Sequence, residues 1–376
     1  MSISIKGVGN ILRPYFTTIN YLCQGVKRIR HTNHCKVLIK QSRVFSVDNS
    51  FLQHYHFTMI SFKDIKQHNK ILLLFLLILC LSCVIAPIIK AFFDPLVKSS
   101  PSIAHLLKYR HESYDFGRVM RRIILVVAIL VIFLFRKPLM FRSFTTPGIK
   151  CTRDWWQQLQ MGFLLGTGIF VLYIAFVFTS GSMTLHIDAK SFGEVILKII
   201  GILLVAGIVG FIEEVFFRGF ILQSFLQDMH TVSAVCASSL FYSLLHFFKT
   251  KLSVSTGFQP FIGFITVYKS FAHIILNFTS ILPSIIGLFL IGVVLSYACL
   301  RTKSLYFAIG LHAGWIFLTK TNILLFDYLR TMPKWLFGDG TVITGVLGWI
   351  LLIITLILIR FVTEAQFYGK NTARTS

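Results

Sequence analysis

Residues 195–220 read VILKIIGILLVAGIVGFIEEVFFRGF. Up to position 212 every residue is apolar or glycine except Lys198. A helix needs about 20 such residues to cross the hydrocarbon core of a bilayer. Seven further runs approach that length, at 71–91, 123–140, 161–180, 231–248, 281–300, 304–318 and 342–361. Together they predict an all-α fold, a polytopic transmembrane helical bundle of about eight spans. The run at 304–318 is the shortest and carries a His, which predicts a place inside the bundle.

Composition agrees. Of the 376 residues, 55% are hydrophobic, 14% are charged and 38 are Phe. An average soluble domain carries about 25% charged residues. A mean hydropathy of +0.74 leaves too little polar surface for a soluble protein of this size. The seven Cys are odd in number and scattered, which excludes a disulfide framework. The 37 Lys and Arg against 14 Asp and Glu give a net charge of +23. Most of the bases lie between apolar runs, the pattern of anchoring to anionic lipids, so nucleic acid is not the expected partner.

Four regions follow. Residues 1–68 hold 10 Lys and Arg, with no acid before Asp48 and no run of spanning length. They read as a basic tail, disordered or preceding a true start at Met59, with a targeting segment as the lesser alternative. Residues 69–194 carry the first three spans, 195–318 a catalytic core, and 319–376 the last span and C-terminal tail. The Lys/Arg bias puts the N-terminus inside. The segment 249–283 is neither polar nor a clean span. In it Phe258, Phe261, Phe264, Val267, Phe271 and Ile274 recur every three or four residues. That predicts a one-sided helix, in the membrane interface or folded into the bundle.

With acids so scarce, Glu213 and Glu214 stand out at the end of an apolar run. Two carboxylates at membrane depth need partners or a function. Arg218 follows Glu214 by four residues and shares its helix face. Glu213 lies about 100° round the helix, without a local base, and suits general-base work. Two other runs each supply a His, His246 in FYSLLHFF and His312 in AIGLHAGWIF. With the Glu pair they predict one shared polar centre. Gly310 and Gly314 flank His312 and would admit a close helix. Cys80 and Cys83 have redox spacing but sit in an apolar helix, where packing is their expected role. His230 suits a helix cap. No Gly-x-Ser-x-Gly, phosphate loop or His-Glu-x-x-His occurs.

Glu213-Glu214-x-x-x-Arg218-Gly219, then Tyr242-x-x-x-His246, then Gly310-Leu-His312-Ala-Gly-Trp315, resemble the three motifs of the CPBP family. These are intramembrane proteases related to the type II CAAX prenyl endopeptidase. The resemblance covers about a third of the chain, 195–318. Two positions depart from the pattern: Tyr242 stands where the family usually has Phe, and Ile316 where it often has Asn or Asp. In the prenyl protease that Asn helps form the oxyanion hole, and Ile316 has no donor or acceptor.

The resemblance implies an intramembrane endopeptidase. Glu213 with His246 would deprotonate a water, His312 would face the oxyanion, and Glu214 would pair with Arg218. Tyr242 and Ile316 are supporting positions. Glu213, Glu214, His246 and His312 also suit a zinc site with an open position. The metal-free glutamic mechanism, with no cofactor, is the favoured one. Implied partners are a membrane protein or peptide substrate, lipidated or not, and anionic lipids. The implied location is a multi-pass protein of a bacterial cytoplasmic membrane. The alternatives are a non-catalytic scaffold or immunity protein, and a proton or solute transporter using the buried Glu/His cluster.

Overall fold

The computed structural model describes residues 65–107, 113–135, 154–186, 191–248, 253–255, 257–329, 332–338 and 342–375. The basic tail up to residue 64, with Met59, lies outside the described residues. Among the described residues, nine longer helices carry the fold. They are α1 (Gln67–Ser99), α2 (Phe116–Phe135), α3 (Trp155–Thr179), α4 (Phe192–Glu214), α5 (Thr231–His246), α6 (Ile262–Leu276), α7 (Phe278–Thr302), α8 (Tyr306–Leu325) and α9 (Val346–Thr375). Within the described residues, each apolar run of the sequence falls largely on one of them. Among the described residues, five stretches are long and apolar enough to cross a membrane: Gln67–Ser99, Trp155–Thr179, Phe192–Phe225, Phe278–Thr302 and Val346–Glu364. The chain is an all-α polytopic membrane protein. The run at 304–318 is extended, since α8 continues to Leu325.

Local chemistry sets the ends. Ser191 caps α4 by accepting from the Glu194 backbone N–H, and Glu194 sits in the positive first turn. Lys303 takes a left-handed φ of 54° and closes α7, so that α8 starts at Tyr306. Two short antiparallel ribbons, absent from the sequence reading, clip loops together. Strand β1 (Ser113–Asp115) pairs with β3 (Ser253–Ser255), and β2 (Met183–Leu185) with β4 (Phe326–Tyr328). Three residues per strand give too little periodicity to be read.

The apolar interior forms two main clusters. One gathers α3, α5, α7, α8 and α9 around the chain that follows Glu214. The other gathers α1, α2, the β1–β3 ribbon and the start of α6. The most extensive helix pair is α3 with α8, and glycines on both sides make it. A Cβ on Gly166 would meet the Leu311 carbonyl oxygen at 2.6 Å, and one on Gly314 the Phe163 carbonyl oxygen at 2.8 Å. Gly162 against Phe307 and Gly310 against Leu159 are closer still. Lipid is as apolar as a leucine, so helices in it associate by close backbone packing rather than by hiding apolar surface. The close helix expected beside Gly310 and Gly314 is therefore α3.

The Phe-rich segment is helical from Ile262 to Leu276. Helix α6 packs through Ile262, Gly263, Thr266 and Ser270, while Phe264 and Phe271 point outward. Thr266 and Ser270 donate to carbonyls four residues back, at 2.7 and 2.9 Å, so no hydroxyl is stranded. Gly263 lies on the backbone of Cys83, which gives that buried Cys the packing role expected of it. His230 occupies an N-cap position, but its side chain makes no capping hydrogen bond.

One buried polar cluster went unread. Asp94 accepts from Lys90 Nζ at 2.9 Å, from the Tyr114 hydroxyl at 2.7 Å and from the Gly257 N–H at 2.9 Å. Lys90 also donates to the Gly257 carbonyl at 2.7 Å. Gly257 holds φ +116°, a conformation that favours glycine. These bonds lock the loop before α6 onto the end of α1.

Candidate active site

Helix α4 ends on the glutamate pair, and the chain continues without a break into a π-helical stretch, Val215–Leu222. Such wide turns recur at functional sites. Helix α4 buries only Ala206, Gly210 and Glu214. Gly210 lies against Ala313 of α8, and this contact brings the glutamates beside His312.

Glu214 is fully buried and Arg218 is 2% exposed. Arg218 donates to Glu214 Oε1 at 2.9 Å, the pair expected from the spacing, and to the Gly292 carbonyl of α7 at 3.3 Å. The same Oε1 lies 2.8 Å from His312 Nδ1. The sequence reading missed that partner. Glu213 points elsewhere. Its Oε2 stands 3.7 Å from His246 Nε2 and 3.9 Å from His312 Nε2. That oxygen is buried and has no hydrogen-bond partner.

The histidine tautomers follow from the partners. His246 Nδ1 lies 2.9 Å from the Tyr242 carbonyl oxygen. A carbonyl only accepts, so Nδ1 carries the proton. The Glu214 carboxylate imposes the same choice on His312. Each ring then turns its Nε2 toward Glu213. The three atoms converge on one point, a place of the right size for a water molecule.

Tyr242 is buried at 2% exposure. Its ring packs edge-on to Phe217 at 4.8 Å and 4.4 Å from the His246 ring, with the Arg218 guanidinium over its face at 4.8 Å. It keeps the aromatic packing expected of that position and adds a hydroxyl that interacts with Glu213. Ile316 lines a cavity of about 230 Å³ that also touches Tyr242, His246 and His312. The other walls include Ile169, Phe170 and Tyr173 of α3, Leu288 and Ile291 of α7, and Leu351 and Leu352 of α9. No residue of 258–274 lines it.

The expected site residues thus meet, but in two groups. Glu213, His246 and His312 face one another, and Glu214 joins Arg218 behind His312. The four-ligand zinc set does not converge, because Glu214 Oε1 is engaged by Arg218 and by His312 Nδ1. The three atoms around Glu213 Oε2 are those that could hold a small species. As they stand, no group of three or more His, Cys, Asp or Glu among the described residues has metal-holding spacing.

A family model described as type II CAAX prenyl endopeptidase Rce1-like matches residues 195–318. That third of the chain holds Glu213, Glu214, Arg218, Tyr242, His246, His312 and Ile316. The match supports a relation to the CPBP and CAAX proteases. No curated protein and no solved structure matches the chain.

Proposed function

We propose, from the relation to the Rce1-like family and from the geometry around Glu213, that the chain is an intramembrane endopeptidase of the glutamic type. One observation carries the reading. A partnerless carboxylate oxygen faces two imidazole Nε2 atoms at 3.7 and 3.9 Å, and both rings are fixed through their other nitrogen. Those separations are shorter than two hydrogen bonds, about 5.6 Å, so one water can touch all three groups.

In this scheme Glu213 takes a proton from the water, with His246 holding the water in line. The hydroxide adds to the peptide carbonyl of a substrate lying in the neighbouring cavity. The oxyanion forms beside His312, which donates from Nε2 as a doubly protonated ring, its Nδ1–H held by Glu214. Glu213 returns its proton to the departing amine, and the peptide bond breaks. Glu214 is a positioning residue, holding the His312 ring and neutralising Arg218. The metal-free form is preferred because Glu214 is engaged elsewhere and does not face the water. The substrate is a membrane protein or lipidated peptide of a bacterial cytoplasmic membrane, with anionic lipids around the basic loops.

The test is cleavage of a membrane-peptide library by purified protein in lipid, read by mass spectrometry. Glu213→Gln should fold like wild type and abolish cleavage, and a chelator should leave the wild-type rate unchanged. Undiminished cleavage by Glu213→Gln would sink the scheme. Loss of cleavage on chelation, restored by zinc, would replace it with a metal mechanism.

A further inference from the structure

Helix α9 has an inner and an outer row of side chains. Thr355, Ile359 and Thr363 recur every four residues and are buried. The adjoining row, Leu356, Ile357, Arg360, Phe361 and Glu364, lines a cavity of about 430 Å³ together with Tyr297 of α7. None of these six residues belongs to the reacting centre or to the cavity beside it. Small-molecule sites run from about 300 to 1,000 Å³, so the groove can take a ligand.

One end of the groove is apolar, with Leu356 half-buried and Ile357 and Phe361 exposed. The other end is charged. Arg301, in the last turn of α7, donates to Glu364 Oε1 at 2.8 Å, and Arg360 donates to the same oxygen at 3.2 Å. Arg301 Nε also reaches the Thr363 hydroxyl at 3.3 Å. Two guanidinium groups thus share one carboxylate. Arg360 is 67% exposed, and among the described residues only its Nε is engaged. Lys303 is exposed at the turn that closes α7. Along 297–303 and 356–364, three bases stand against one acid.

Depth decides what fits. The apolar span of α9 ends at Glu364, and α7 ends at Thr302. The charges therefore stand where hydrocarbon meets water. From Glu364 back to Leu356 the helix covers about 12 Å, all of it into the hydrocarbon. A lipid with an anionic headgroup has this layout, an anion at the interface and an apolar chain below it. Arginine binds phosphate through two N–H groups at once, and Arg360 has both Nη groups to offer. Tyr297 lies one turn deeper than Arg301 on the same face of α7. It can turn its ring to the chain and its hydroxyl to the headgroup.

We propose that the groove between α7 and α9 binds one anionic phospholipid. Arg360 and Arg301 hold its phosphate, and an acyl chain lies along Leu356, Ile357 and Phe361. The inference stands independently of the peptidase reading. A soluble phosphate offers the same anion without the chain, and the test separates the two sources.

The experiment uses the full chain in phosphatidylcholine nanodiscs. A small share of the lipid is phosphatidylglycerol with a diazirine on its acyl chain, or the matching phosphatidylcholine. Light fixes the bound lipid, and mass spectrometry locates and counts it. Label should fall on Leu356, Ile357 and Phe361, and be about fivefold stronger from phosphatidylglycerol, the factor one interfacial base supplies. Arg360→Gln, at an exposed position, should keep the wild-type thermal midpoint and lower phosphatidylglycerol labelling to the phosphatidylcholine level. Ile357→Trp keeps every charge but fills the groove, and should lose the label from both lipids. Millimolar inorganic phosphate should leave the wild-type label unchanged. Equal labelling by the two lipids, wild-type labelling of Arg360→Gln, or label spread evenly over the bundle would overturn the proposal. Displacement by inorganic phosphate would overturn it in favour of a soluble anion.

Discussion

His312 and Glu214 stand 98 residues apart in the chain, and the ring Nδ1 of one lies 2.8 Å from a carboxylate oxygen of the other. Arg218 reaches the same oxygen at 2.9 Å. One buried carboxylate therefore serves two purposes. It neutralises a guanidinium that is 2% exposed, and it fixes which nitrogen of His312 faces Glu213.

Glu214→Gln separates these purposes. The amide keeps an acceptor for both partners but leaves Arg218 buried without a counter-charge. Removing one member of such a pair typically costs about 3–5 kcal/mol. The expected outcome is a large fall in thermal midpoint, with kcat per folded molecule down by about 10²–10³. The ratio of kcat to KM and the pH profile should change as well, because the ring charge loses its counterpart. A variant that only lost stability, with the wild-type pH profile intact, would reduce Glu214 to a structural group.

The glycines of α3 offer a paired comparison. A Cβ on Gly166 would meet the Leu311 carbonyl at 2.6 Å, whereas one on Gly168 would meet nothing within 4 Å. Gly166→Val should destabilise the bundle by at least the 1–3 kcal/mol (roughly) typical of overpacking, and it should lower activity by moving α8. Gly168→Val should leave both within about 0.5 kcal/mol of wild type. Equal thermal midpoints for the two variants would contradict the packing described here.

Ile316 offers a test in the direction of gain. It lines the cavity one turn beyond His312, where an Asn amide would reach the oxygen that His312 faces. A single donor of this kind is worth about 10²–10³ in rate in a hydrolase that has it. Ile316→Asn should raise kcat on a fixed reporter at matched folded concentration, with some loss of stability from the buried amide. An unchanged rate would mean that another donor, such as the Tyr242 hydroxyl, already completes the site.

The site's members were legible because intramembrane Glu, Arg and His are rare enough for each to carry information. The Glu214–Arg218 pair was legible because it is local, one helical turn. The Glu214–His312 contact was not, because it depends on how α4 and α8 cross. Glycines show where helices can approach, but Gly166 and Gly168 look alike in a sequence. The Phe face of α6 was legible as a face, but its direction was not. Lipid and protein interior are both apolar, so periodicity reveals a face without saying which solvent it meets. Lys90 and Asp94 were overlooked because their other partners, Tyr114 and Gly257, come from distant loops.

The seating of α8 on α3 also orders events in time. A membrane chain is inserted from its N-terminus, so the helix bearing Glu213 and Glu214 and the one bearing His246 enter the bilayer first. The notch of Gly162 and Gly166 is then already formed, with nothing in it. Only when residues 306–325 emerge can that notch be filled, and His312 arrives with them. The polar centre therefore stays incomplete until most of the chain has been made.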